Sequence, residues 1–89
     1  MGRYEEAIED YKSAVRVIYE QLQATANQDE REARTSDAMS YFEKTAALDL
    51  KLGKADVAKN DLESALAIAV ALNDTDSMER IQKLIEGLN

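Results

Sequence analysis

The sequence predicts an all-α fold of about four helices. Three observations carry that expectation. Proline, which costs about 3 kcal/mol inside a helix, is absent, and glycine occurs only as Gly2, Gly53 and Gly87. Nothing therefore interrupts a helix from Arg3 to Leu52 or from Lys54 to Glu86. Apolar residues also recur at steps of three and four along most of the chain, the spacing of one helix face.

The first helix is expected over Tyr4 to Ala24. Its stripe is Tyr4, Ala7, Ile8, Tyr11, Ala14, Val15, Ile18 and Leu22. Glu5 and Glu6 stand in its first turn, where carboxylates complement the helix dipole. Val17 and Tyr19 fall off the stripe, which predicts a second neighbour for the later half of this helix. The polar segment from Asn27 to Thr35 admits two main readings beside a continuous helix through Asn27. It is a loop before a helix beginning at Ser36, or Asn27 caps a helix that begins at once, with Glu30 at the third position. The absence of glycine and proline favours the cap.

The second helix then spans about Gln28 to Leu52 and carries two apolar rows. Met39, Phe42, Ala46 and Leu50 form one; Tyr41, Thr45, Leu48 and Leu52 form the other. A helix apolar on two faces is sandwiched between neighbours. Gly53 supplies a left-handed stop. The third helix runs from Ala55 to Leu72 on a stripe of Ala55, Ala58, Leu62, Ala65, Leu66, Ala69 and Leu72. Val57, Ile68 and Val70 extend beyond it. Asn73-Asp74-Thr75-Asp76 reads as a turn with a capping signal. A fourth helix, Asp76 to Glu86, presents Met78, Ile81, Leu84, Ile85 and Leu88, with Gly87 as its stop.

Composition bounds the function. A chain of 89 residues makes one domain. Its 18 acidic and 11 basic side chains give a net charge of −7. That argues against nucleic acid, whose phosphates are held by lysine and arginine, and points to a basic or amphipathic protein partner. No apolar run reaches the roughly 20 residues of a membrane span. The absence of cysteine fits a reducing compartment, so cytoplasmic placement is the expectation. Histidine is absent as well, which removes the commonest general base and metal ligand. Ser13, Ser36, Ser40, Ser64 and Ser77 have no Ser-x-x-Lys partner, and no glycine-rich loop exists to cradle phosphate. No catalytic, cofactor or metal residue is expected. The acidic groups Glu5-Glu6-Glu9-Asp10 and Asp29-Glu30-Glu32 diverge on helix faces, whereas calcium needs six or more converging oxygens. They read as solvated surface.

One pattern goes further. Gly2, Tyr4, Ala7, Tyr11 and Ala14 lie at offsets 0, 2, 5, 9 and 12, and Gly53, Ala55, Ala58, Leu62 and Ala65 repeat those offsets. The series resembles the second helix of a tetratricopeptide repeat. The resemblance implies antiparallel helix hairpins stacked in a right-handed superhelical fragment. It places Ala7, Ala14, Ala58 and Ala65 at close helix contacts, and Tyr4, Tyr11 and Leu62 between repeats. Phe42 and Ala46 match the large and small positions of a first helix. The chain then divides into the second helix of an incomplete repeat (4–24), a full pair (28–72) and a capping helix (76–86). The two units are 51 residues apart against a period of about 34 in the family, which implies lengthened helices. Ala55 stands where the first unit has an aromatic.

Such a repeat implies a protein–protein interaction scaffold that binds a peptide or helix, with a groove from the first and second helices. The partner-facing candidates are Tyr4, Tyr11, Val17, Tyr19, Tyr41 and Lys44. Some family members grip a terminal carboxylate. Here the matching region offers Ser40, Glu43, Lys44 and Ala47, and only Lys44 suits that role. An unpaired first helix predicts an exposed patch of Tyr4, Tyr11, Val17 and Tyr19 and hence a homodimer. Two other readings stand beside this one: a structural dimerisation or capping segment of a longer solenoid, and a closed three-helix bundle similar to microtubule-interacting and transport domains.

Overall fold

The computed structural model describes residues 2–88 and contains four helices: α1 (Arg3–Ala24), α2 (Gln28–Lys51), α3 (Ala55–Ala71) and α4 (Thr75–Gly87). No strand occurs among the described residues. Each helix packs on the next in the chain, and three-residue connections force each pair to run antiparallel. Side-chain contacts confirm the register of the first pair. Tyr4 meets Lys51, Tyr11 meets Tyr41 and Lys44, and Gln21 meets Arg34.

The helix ends follow from local chemistry. Asn27 Oδ1 accepts the Glu30 N–H at 3.0 Å, so the polar segment is the first turns of α2 rather than a loop. Arg31 Nη1 then donates to the Leu22 carbonyl, and to the Thr25 carbonyl at 3.0 Å. A cation thereby satisfies the orphan end of α1. Gly53, at φ +75°, sits in a Schellman turn: its N–H bonds Leu50 O at 3.1 Å and the Lys54 N–H bonds Asp49 O at 2.8 Å. Asn73, at φ +57°, repeats this geometry through Val70 O and Ala69 O. Within the predicted turn, Asp74 caps α4, accepting from Ser77 N at 3.2 Å and from Ser77 Oγ at 2.7 Å. Those two bonds stabilise its ionised form and hold its carboxyl below the usual range. Gly87 is the last residue of α4, so the helix stops where expected, though without the positive φ seen at Gly53.

The main core lies between α2, α3 and α4: Met39, Ala46, Ala58, Leu62, Ala65, Ala69 and Ile81, flanked by Phe42, Met78 and Ile85. Ala58, Ala65 and Ala69 are fully covered, since a methyl group lets two helix backbones approach closely. Ala7 and Ala14, at the matching positions of α1, are only half-buried. α1 contributes Ile8, Val15 and Ile18. It packs on α2 alone, so the second neighbour expected for Val17 and Tyr19 is not found among the described residues.

The helices do not close on themselves. No Cα of α1 comes within 8 Å of α3 or α4, and none of α2 comes within 8 Å of α4. The molecule is a slab of 39 × 29 × 14 Å with a radius of gyration of 13.4 Å, against about 12 Å for a compact domain of this length. The backbone contacts thus give an open series of helices and not a closed three-helix bundle.

Candidate functional site

An open series has valleys where a closed bundle has a core. The first valley lies over α3, with Leu62 at its floor and α2 and α4 as walls. Ala46, Ala47 and Leu50 face Leu84, Gly87 and Leu88 across a cleft of about 290 Å³. At its head, Arg80 donates from Nε and Nη2 to Glu43 Oε1 and Oε2, both at 3.0 Å. This fork ties the two walls, and the hydrogen bonds it donates to Glu43 hold the Arg80 guanidinium above its ordinary pKa. Leu50 is 42% exposed and Leu84 48% exposed. Both belong to the apolar rows expected of their helices. They are uncovered because no further helix packs on this side among the described residues.

The second valley has α2 as its floor and α1 and α3 as walls. Since α2 is a wall in one valley and a floor in the other, the two open on opposite sides. Glu5, Ile8, Glu9 and Lys12 face Val57 across Asp49 and Lys54, around a cleft of about 250 Å³. Asp49 is only 2% exposed, yet it is a carboxylic acid. Asp61, one turn along α3 from Val57, meets it. Asp49 Oδ2 and Asp61 Oδ2 are both buried and receive no hydrogen bond from any other protein group. Two carboxyls in this position hold together by sharing a proton. Burial, reinforced by a hydrogen bond and charge repulsion from Asp49, lifts Asp61 from 3.8 to about 7, while Lys12 pulls the other way. Lys12 nevertheless makes no ion pair within 4 Å among the described residues.

The six residues expected to face a partner divide into three groups. Tyr11, Tyr41 and Lys44 come together: the rings lie 5.6 Å apart at 32°, and Lys44 Nζ is 6.0 Å and 5.7 Å from their centroids. Tyr11 and Tyr41 are half-buried in the α1–α2 contact, so they are chiefly packing groups. Tyr4 lies 42% exposed at one end of α1, with Lys51 Nζ 5.4 Å from its ring centre. It fills no gap between repeats, contrary to the expectation for that position. Tyr19 and Val17 are exposed by 45% and 48%. They do not form one surface. At 3.6 residues per turn Val17 lies about 140° around α1 from the middle of its buried stripe, against about 60° for Tyr19. The continuous patch expected of Tyr4, Tyr11, Val17 and Tyr19 is therefore not present.

The sequence reading passed over Asp49, Asp61 and Arg80. Asp49 lies between the two apolar rows of α2, in the last turn of a helix expected to be sandwiched, which was the available signal. No residue pattern announces the Arg80–Glu43 fork, because its partners are 37 positions apart. No group of three or more metal-ligating side chains is found among the described residues, and no helix is long and apolar enough to cross a membrane. Comparison with family models, with curated proteins and with solved structures gave no match.

Proposed function

We propose that this chain is a tetratricopeptide-like interaction module that receives an amphipathic helix or peptide of another protein in the valley between α2 and α4. One observation carries the reading. Leu50 and Leu84 flank an apolar cleft that continues into the core at Leu62 and Ala46, with charge at its rim from Glu43 and Lys83. An apolar floor with a charged rim suits a helix laid in a groove. Burial of Leu50 and Leu84 supplies affinity, and the acidic balance of the chain selects basic partners. The resemblance at Gly53, Ala58, Leu62 and Ala65 supports the same reading, since Ala58, Leu62 and Ala65 are all at most 2% exposed.

The test uses a basic amphipathic helical peptide of about five turns, the length of α3, titrated calorimetrically. Leu84→Glu changes an exposed residue and preserves the fold. Binding that is lost in this variant supports the proposal; binding unaffected by both Leu84→Glu and Leu50→Glu refutes it. A second reading, self-association as a homodimer, is favoured by the exposure of Tyr4 and Tyr19 on α1, the helix covered on one side only. Light scattering separates the two: Tyr19→Glu lowers the mass if α1 is a dimer face and leaves it unchanged if α1 is merely an edge.

A further inference from the structure

We propose that the cleft over Asp49 is a receptor for the guanidinium or ammonium head of a basic side chain on a partner protein. The proposal rests on the reading of this chain as an interaction module and names a chemistry that the apolar valley does not use. Asp49 is nine-tenths or more buried, lines the cleft, and has an Oδ2 that no amide, hydroxyl or basic group among the described residues reaches, the shared proton with Asp61 being its one internal compensation. A buried carboxylate in that state requires either a proton or a cation.

The walls provide what a long basic side chain needs. Ile8 and Val57 offer aliphatic surface for its methylene stem, and Glu5 and Glu9 bring carboxylates to the mouth. The cleft, at about 250 Å³, accommodates one such side chain. The charged and titratable groups around the position are Glu5, Glu9 and Lys12 on α1, Asp49 on α2, Lys54 in the turn and Asp61 on α3. Lys12 and Lys54 are the internal competitors, but neither forms an ion pair within 4 Å among the described residues. An arriving cation replaces the proton that Asp49 and Asp61 share, and that proton leaves to solvent. Binding is thereby linked to pH: affinity rises as Asp61, held up to about 7, loses its proton.

The experiment is an amide-resolved NMR titration of the 15N-labelled chain with Nα-acetyl-arginine amide at pH 7.8 and pH 5.5. Nα-acetyl-citrulline amide, equal in shape and uncharged, is the control. The expected result is saturable shifts centred on residues 5–12, 49 and 54 with the arginine compound alone. Affinity should be about thirtyfold lower at pH 5.5, as release of one proton from a group near 7 requires over that interval. Asp49→Asn should abolish these shifts. Because Asp49 is buried, the exposed double variant Glu5→Gln/Glu9→Gln is measured as well, and should weaken binding about fivefold without touching the core. Equal shifts from the citrulline compound, or wild-type affinity in both variants, would overturn the proposal. Neither outcome bears on the α2–α4 valley, which lies on the opposite side, so failure here is distinguishable from failure of the interaction reading.

Discussion

Replacing Asp61 by asparagine should stabilise this protein at pH 8 and have little effect at pH 4. The carboxyl of Asp61 is raised from 3.8 to about 7 in the folded state. A folded pKa above the unfolded one means that the native state holds a proton the unfolded chain has released. Stability from this group is therefore fully present below about pH 4, falls as pH rises towards 7, and is flat above. A shift of about three units would correspond to at most about 4 kcal/mol at 1.36 kcal/mol per unit. Asp61 keeps part of its solvent contact, and screening there reduces the figure to about 1–2 kcal/mol. Asparagine cannot ionise, and its NH₂ can donate to Asp49 in place of the shared proton. Urea unfolding followed by circular dichroism at pH 4.5, 6, 7 and 8 measures the difference. The variant should gain about 1–2 kcal/mol on wild type across that series, which for a domain of this size raises Tm at pH 8 by roughly 5–10 °C. Asp74, whose depressed carboxyl acts in the opposite sense as pH falls, is common to both proteins and cancels. A difference that does not change with pH, or a variant less stable at pH 8 than wild type, would refute the shared-proton account.

Other substitutions test the packing. Ile81→Ala removes the largest fully covered side chain, at 0% exposure, and should cost about 3 kcal/mol in denaturant unfolding. Ala65→Leu inserts bulk at the covered α3 surface and should cost about 1–3 kcal/mol, whereas Val17→Ser on the outer face of α1 should stay within about 0.5 kcal/mol of wild type. Asn27→Ala deletes the cap bond to Glu30 N and should cost about 1 kcal/mol, visible as faster amide exchange in the first turn of α2.

Much of the helical layout was legible because it depends on near neighbours in sequence. The stripe of α1, the cap at Asn27 and the left-handed Gly53 each arise within one or two turns. The Schellman turn at Asn73 follows the same rule, with asparagine tolerating the conformation that glycine adopts more readily. What the pattern does not encode is how many neighbours a face receives. Leu50 and Leu84 carry the same periodicity as buried Ala46 and Ile81, yet they face an open valley. Tyr4 and Tyr11 stand two turns apart on one stripe, and only Tyr11 is covered, because Tyr41 lies opposite it. Of the candidate surface, the sequence pointed to the aromatic side of α1 and α2. The Asp49–Asp61 pair was hidden, since a single acid among apolar rows reads as a break in a stripe until its partner on the next helix is in place.

Both valleys exist only if the helices form an open series. Its direct test is a distance between spin labels on α1 and α4, and the absence of cysteine lets Ser13→Cys and Gln82→Cys be labelled uniquely. Three successive helix contacts at about 8–10 Å each place these outward positions about 25–35 Å apart, and pulsed dipolar spectroscopy should return a single maximum in that range. A population centred below about 20 Å, with the dipolar broadening of adjacent helices, would mean that α1 folds back on α4 and that neither valley exists.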